Sequence, residues 1–240
     1  MSAGTGDPVW LCDQPTSELA VICALRLESR IPIDALSRNC PQVIVSGPGP
    51  DNAYRAARDA IASGAKALIS FGIAGGLSLP ATTGTVLLPQ ALVCDAGRWE
   101  PSANWLARLR EALNAQFTIA DGPLYSAQQV LTDPTQKRAL ASSTGCVAVD
   151  MESAAVAKAA AESQLAFVAL RVVADGPDDA LPDGIERLVT ASGRTRLIGL
   201  PRMLLPPRRF RLLLQLGAHS RIARDVLRRA VQSLAATTKQ

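Results

Sequence analysis

The run VAVDMESAAVAKAAAESQLAFVALRVVAD, residues 147–175, constrains the fold more than any other part of the chain. A short apolar stretch (Val147 to Val149) meets an acidic turn, an alanine-rich helical segment follows, and a β-branched run (Phe167 to Ala174) closes on Asp175. The change from period two to period 3.6 and back reads as strand, helix, strand. Such a unit ordinarily lays its two strands parallel and adjacent, so the residues leaving their carboxyl ends, Glu152 and Asp175, are expected on one edge of the sheet, where they can share a ligand.

The same alternation extends over most of the chain. Apolar runs at Leu19 to Leu25, Gln42 to Ser46, Ala67 to Phe71, Thr85 to Leu88 and Leu92 to Cys94 read as strands. Helical segments are expected at Ala53 to Ser63, Asn104 to Leu113, Asp133 to Ala141 and Glu152 to Ser163. Gly47 to Pro50 forms a sharp strand-to-helix turn, with Asp51 or Asn52 available as a cap. The predicted class is α/β, a central mixed and largely parallel sheet flanked by helices. Residues 1–180 form the core and 181–240 a basic helical C-terminal extension, packed on the same single domain. Within that extension Ile222, Val226, Ala230 and Leu234 recur every four residues from Ser220 to Leu234, joined by Ala223, Leu227 and Val231, as on the buried face of a closing helix.

Two features of composition prune the possible chemistry. His219 is the one histidine, so histidine triads and histidine-based zinc sites are excluded, no metal is expected, and carboxylates become the candidate proton-transfer groups. The five cysteines are odd in number and none stands in a C-x-x-C pair, which points to reduced thiols and a cytoplasmic protein. The N-terminus lacks the basic-then-apolar pattern of a secretory signal, and no apolar run reaches membrane-spanning length. The net charge of +4 conceals an asymmetry: from Arg194 onward ten arginines and Lys239 face one acid, Asp225. That basic tail predicts contact with an anionic surface, with a partner subunit, or with the acidic remainder of the chain. Nucleic acid is not expected, because Phe210 stands without the interleaved aromatics of a single-strand platform.

Glu28 follows the first strand, as Glu152 and Asp175 follow theirs, which makes it a third candidate carboxylate; Arg26 and Arg30 flank it as candidate anion contacts. After the third strand, SFGIAGG (Ser70 to Gly76) is expected to be a loop whose glycines admit a ligand to the backbone. Gly47-Pro48-Gly49 lacks the third glycine and the later acid of a dinucleotide fingerprint.

Taken together, AVICALRLE, SGPGPDNA, SFGIAGGLSLPATTGTVLLPQALVCDA, VAVDMESAAVA and LRVVADG resemble, in order, the nucleoside phosphorylase and nucleosidase superfamily, including methylthioadenosine/S-adenosylhomocysteine nucleosidases. The tail from Leu181 resembles that of the hopanoid-associated phosphorylases. The resemblance implies cleavage of a purine N-glycosidic bond through a cationic sugar. Asp175 is then the general acid toward the departing base and Glu28 the residue that orients an attacking water. Glu152 accepts hydrogen bonds from the ribose hydroxyls, with Met151 packed against the sugar. Gly72, Ile73, Ala74 and Gly75, with Val130 and Leu131, complete the substrate-binding set. No cofactor is implied; phosphate stays open beside water as nucleophile.

Three departures bear on specificity. Ile73 replaces a common serine near the phosphate or sugar, Val130 replaces a phenylalanine that stacks on the base, and Ala174 replaces a serine before the acid. The expected reaction releases adenine from a 5′-modified adenosine, adenosylhopane being the named candidate. A homo-oligomer is expected, with peripheral contact at the inner membrane face through the basic tail. The competing class is a non-catalytic nucleoside-binding or membrane-recruited scaffold protein, against which the joint presence of Glu28, Glu152 and Asp175 argues.

Overall fold

The computed structural model describes residues 16–35, 41–194 and 207–237. It is an α/β structure in which a ten-stranded mixed sheet is flanked by helices on both faces. The central strands are β1 (Leu19–Cys23), β3 (Ala67–Gly76) and β10 (Ala166–Asp175), parallel to one another, with β2 (Gln42–Val45) parallel outside β1. Their sequences, LAVIC and AFVALRVVAD, are apolar on both faces because helices cover both faces. Alternate residues divide between two cores. Val21, Ile69, Leu170 and Val172 pack under α1 (Arg26–Ala35), α3 (Ala103–Asn114) and the C-terminal helix α6 (Pro207–Thr237). Ala20, Leu68, Ala169 and Val173 pack under α2 (Pro50–Ala62) and α5 (Ser153–Glu162), where a run of buried alanines lets α5 lie close.

The strand, helix, strand unit at residues 147–175 forms, but its strands are not neighbours. β9 (Ala148–Asp150) pairs antiparallel with β3 through Gly75↔Val149 and Gly76↔Ala148, and β10 lies parallel on the other edge of β3. Ten-residue β3 therefore stands between them, and Glu152 and Asp175 converge for a different reason from the one expected. Because β9 runs backward along the last two residues of β3, its exit at Asp150 to Glu152 heads back toward the part of β3 that β10 also borders.

Other expectations are adjusted by local chemistry. Ser70 to Gly76 is strand rather than loop, and its glycines serve close packing: a Cβ on Gly76 would stand 2.0 Å from the Ala81 carbonyl oxygen. β1 ends at Cys23, so Glu28 lies in the first turn of α1, where it accepts a hydrogen bond from Leu25 N–H at 2.9 Å. The cap of α2 is Gly49, and neither Asp51 nor Asn52 caps it; the Asn52 amide donates instead to the Pro48 carbonyl. Short strands β4 (Val86–Leu87) and β5 (Ala91–Cys94) match expected runs, as does α4 (Pro134–Thr144), whereas β6 (Gly97–Trp99), β7 (Ile119–Ala120) and β8 (Pro123–Ser126) have no counterpart in the sequence reading.

The closing helix starts earlier than Ser220: α6 is 31 residues long from Pro207. Ala223, Val226, Leu227, Ala230, Val231 and Leu234 are buried against the sheet, but Ile222 is 48% exposed and leaves the stripe. Among the described residues no helix is long and apolar enough to cross a membrane, and Cys23, Cys94 and Cys146 are free thiols; Cys12 and Cys40 lie outside them. Because Leu227 is fully buried, Leu227→Ala is expected to cost about 2–5 kcal/mol in urea unfolding, against under ~1 kcal/mol for Ile222→Ala.

Candidate active site

A cavity of about 320 Å³ opens where the carboxyl ends of β1, β3, β9 and β10 meet. Glu28, Ile73, Ala74, Gly75, Val130, Leu131, Met151, Glu152 and Asp175 all line it. Of the expected binding residues Gly72 alone does not. It lies behind the cavity wall, where a Cβ would stand 2.6 Å from Glu28 Oε1 and 2.7 Å from an Arg171 nitrogen, so glycine there makes room for that pair. Arg26 and Arg30 are exposed and line no part of the cavity.

In the cluster beside Gly72 the organising group is Arg171, a residue with no part in the sequence reading. It projects from the middle of β10, 1% exposed, and donates to Ser70 Oγ at 2.7 Å and Ser153 Oγ at 3.2 Å. The same guanidinium pairs with Asp150 Oδ2 at 2.9 Å and approaches Glu152 Oε2 at 4.0 Å. Asp150 is itself fixed by Ser126 Oγ at 2.6 Å and Ser153 Oγ at 2.5 Å. Glu152 is oriented from the backbone, accepting Gly49 N–H at 2.8 Å, so the Gly-Pro-Gly-Pro turn reaches the site through one amide. Glu28 spans from α1 to β3, accepting Ile73 N–H at 3.0 Å on its other oxygen.

A second charged cluster lies beside Gly75, three residues further along β3, where Asp175 pairs with Lys137 of α4, Nζ to Oδ2 at 2.5 Å. The lining is otherwise largely apolar and includes Leu25, Val130, Leu131, Leu181, Ile185, Val189 and Leu216, the last contributed by α6.

All three expected catalytic or sugar-binding carboxylates are buried, and burial decides their protonation. It pushes Glu152 up to about 7, with the Asp150 charge adding to the effect and Arg171 opposing it. Burial likewise raises Glu28 against the opposing Arg171, and raises Asp175 against the opposing Lys137. Desolvation disfavours a buried charge, and neither the guanidinium beside Glu28 and Glu152 nor the ammonium beside Asp175 fully offsets it.

Arg171 and Asp150 each carried a signal in the sequence. A charged residue inside LRVVAD, an otherwise apolar run, must be paired once buried, and so must the aspartate of VDMES. Lys137 carried none, since DPTQKRALASST is an ordinary polar helix.

A folded value for Glu152 raised from 4.5 to about 7 predicts a definite pH dependence. A raised carboxylate stabilises the fold below its unfolded value, and that contribution is lost as pH rises through the folded value. Ligand-free Glu152→Gln should therefore gain stability relative to wild type between about pH 4.5 and 7, on the order of 3 kcal/mol at most, read from thermal melts across that range.

The sequence profile of the Phosphorylase superfamily matches residues 34–195. No protein of curated function matches the sequence. Among solved structures, futalosine hydrolase of Helicobacter pylori superposes with a TM-score of 0.70 at 17% identity, covering 91% of this chain and 97% of that one. A 5′-methylthioadenosine/S-adenosylhomocysteine nucleosidase from Neisseria meningitidis, in complex with methylthio-immucillin-A, gives 0.68 at 16%, covering 91% and 98%. The Helicobacter pylori nucleosidase of the same description gives 0.72 at 15%, covering 93% and 100%. With the profile spanning two thirds of the sequence and the fold shared over nearly its whole length, the chain belongs to the Phosphorylase superfamily, the nucleoside phosphorylase and nucleosidase enzymes that its motifs resemble.

Proposed function

We propose that this enzyme hydrolyses the N-glycosidic bond of a purine nucleoside, releasing adenine from an adenosine that carries a large apolar 5′ substituent. The observation that carries the reading is that Glu28, Glu152 and Asp175 line one cavity, the first two beside Arg171 and the third beside Lys137. A sugar bound by Glu152 through its 2′- and 3′-hydroxyls sets C1′ between Glu28 and Asp175. Glu28, charged when it acts, orients a water toward C1′. As the bond to the base breaks, the sugar becomes cationic beside the Arg171 carboxylates, and the base takes a proton from Asp175.

Water is favoured over phosphate by the charge balance. Among the described residues the cations that line the cavity are Arg171 and Lys137, and both are engaged by carboxylates, so a phosphate dianion would have no uncommitted cation to meet. Ile73 in place of a serine hydroxyl also favours this reading. The apolar wall of Leu181, Ile185, Val189 and Leu216 supports an apolar 5′ group, for which adenosylhopane is a candidate. The neighbouring structures, a nucleosidase for 5′-methylthioadenosine and S-adenosylhomocysteine and a futalosine hydrolase, support the reaction class.

The test is release of free base from 5′-modified adenosines with and without phosphate. Equal rates in both support hydrolysis, strict phosphate dependence overturns it in favour of phosphorolysis, and no release under either condition leaves the non-catalytic binding protein. Asp175→Asn keeps the side-chain shape but has no proton to give, and is expected to bind substrate while losing ~10²–10⁴-fold in turnover.

An apolar substituent of this kind would reside at a membrane. The beginning of α6 supports such a contact, with Phe210 44% and Leu214 58% exposed beside the exposed Arg211, a few residues from the cavity-lining Leu216. Of the basic tail expected to make this contact, residues 195–206 and 238–240 lie outside the described residues. At ~1 kcal/mol per arginine near an anionic surface, several of the tail's ten arginines suffice for reversible binding. The protein is expected to co-sediment with anionic vesicles at low salt, less at physiological salt, and not with neutral vesicles. Remaining in the supernatant under all conditions refutes the membrane contact.

A further inference from the structure

Lys137 is the one buried residue of α4, an otherwise solvated helix whose other side chains are threonine, glutamine, serine, arginine and partly exposed apolar groups. Packing gives no reason to bury a lysine there, and its surroundings give a specific one. An ammonium has three donors, and Lys137 Nζ has three acceptors: Asp175 Oδ2 at 2.5 Å, the Gly176 carbonyl at 2.8 Å and the Asp179 carbonyl at 2.9 Å. All its hydrogens are therefore directed at the carboxylate and at the loop that follows it. Asp175 Oδ1 has no hydrogen-bond partner among the described residues, and Asp175 lines the cavity.

We propose that Lys137 is a positioning residue for the leaving-group acid: it anchors Asp175 through Oδ2, reserves Oδ1 to carry the proton, and stabilises the carboxylate that proton transfer leaves behind. This rests on the reading of Asp175 as the acid toward the departing base. In the step itself the electron pair of the C1′–N bond goes to the base, and the proton on Oδ1 moves to a base nitrogen. Asp175 becomes a carboxylate, and Lys137 keeps its three hydrogens. The water that attacks C1′ releases a proton, and Asp175 is reprotonated from solvent once the base has left.

The charged and titratable groups that face Asp175 come from each element around it. Lys137 of α4 lowers the acid, Asp179 of the loop after β10 raises it, and His219 of α6 lowers it; burial outweighs the sum of these. His219 lies 3.4 Å from Asp179 rather than against Asp175, and Arg171, Glu28 and Glu152 belong to the separate cluster beside Gly72. Among the described residues Lys137 is the one cation in contact with the acid, so removing its charge makes Asp175 a weaker acid that keeps its proton to higher pH. An opposite charge at this distance ordinarily shifts a carboxylate by ~1–3 units.

The experiment compares pH profiles of kcat/KM for base release by the full-length wild type, Lys137→Gln, Lys137→Met and Lys137→Arg, each first shown to be folded by thermal melting. The falling limb that reports the acid is expected to move up by ~1–3 pH units in the two neutral variants and to return toward wild type in Lys137→Arg. The low-pH plateau of kcat should drop roughly tenfold in the neutral variants with KM little changed, less than the ~10²–10⁴ expected for loss of the acid itself. A limb that stays in place while activity falls uniformly would show that Lys137 serves only the fold, and the proposal fails. Should neither neutral variant fold, ¹⁵N spectra of lysine-labelled wild type decide: an ammonium through the titration of the acid supports the proposal, and a neutral amine there overturns it. Wild-type turnover in Asp175→Asn would instead remove the acid assignment on which the proposal rests, and so separates the two failures.

Discussion

The burial of Arg171 in the central sheet is the constraint on which the rest of the site depends. A guanidinium taken wholly out of water costs several kcal/mol unless its donors are met, and here they are met by Ser70 from β3, Ser153 from α5 and Asp150 from the end of β9. Ser70 is distant in sequence from the other two, which flank the short turn between β9 and α5. One interaction thereby fixes the seam where β3, β9 and β10 meet, and it carries Glu152 into place within that turn. The long strand β3 permits this because Gly72, beside Ile73, leaves open the volume that Glu28 and Arg171 fill.

The arrangement is unequal in charge. Asp150, Glu152 and Glu28 face a single guanidinium, an excess of negative charge; burial is the largest cause that raises Glu152 to about 7 and raises Glu28, with the Asp150 charge adding to it and Arg171 opposing it. In an empty site that excess costs stability. In the proposed reaction it is what a sugar acquiring positive charge at C1′ would encounter, so the same cost becomes attraction that grows as the bond breaks.

Much of the fold was legible because its signals are local. Alternation of β-branched runs with alanine-rich segments located β1, β2, β3, β5, β9 and β10 and helices α2 to α5 within a few residues. The misses share a cause. β1 reads two residues too long, to Leu25, because Ala24 and Leu25 continue its apolar run, and α1 has no counterpart in the sequence reading because Pro32 obscures it. β6, β7 and β8 are two to four residues long and owe their conformation to pairing partners. Adjacency was the deeper error: nothing local in residues 147–175 says that β3 will insert between β9 and β10. For the site, the carboxylates were readable as acids after apolar runs, and an arginine inside LRVVAD was readable but unread. Lys137 became visible only when the fold buried it.

Lys137 completes a contrast between the two charged clusters of the cavity. Among the described residues, three carboxylates meet one cation around Arg171, and one carboxylate meets one ammonium at Asp175. A nucleoside being cleaved develops opposite charges on its two halves, positive on the sugar and negative on the base. In the proposed reaction the cluster with surplus negative charge favours the sugar, and the balanced one, able to lend a proton and keep its own charge compensated, favours the base. Orientation in such a cavity follows from the charge that each half will develop as well as from shape. On that reading the aliphatic Val130 and Leu131, which offer no aromatic face to the base, leave a larger share of the orientation to the two charged clusters.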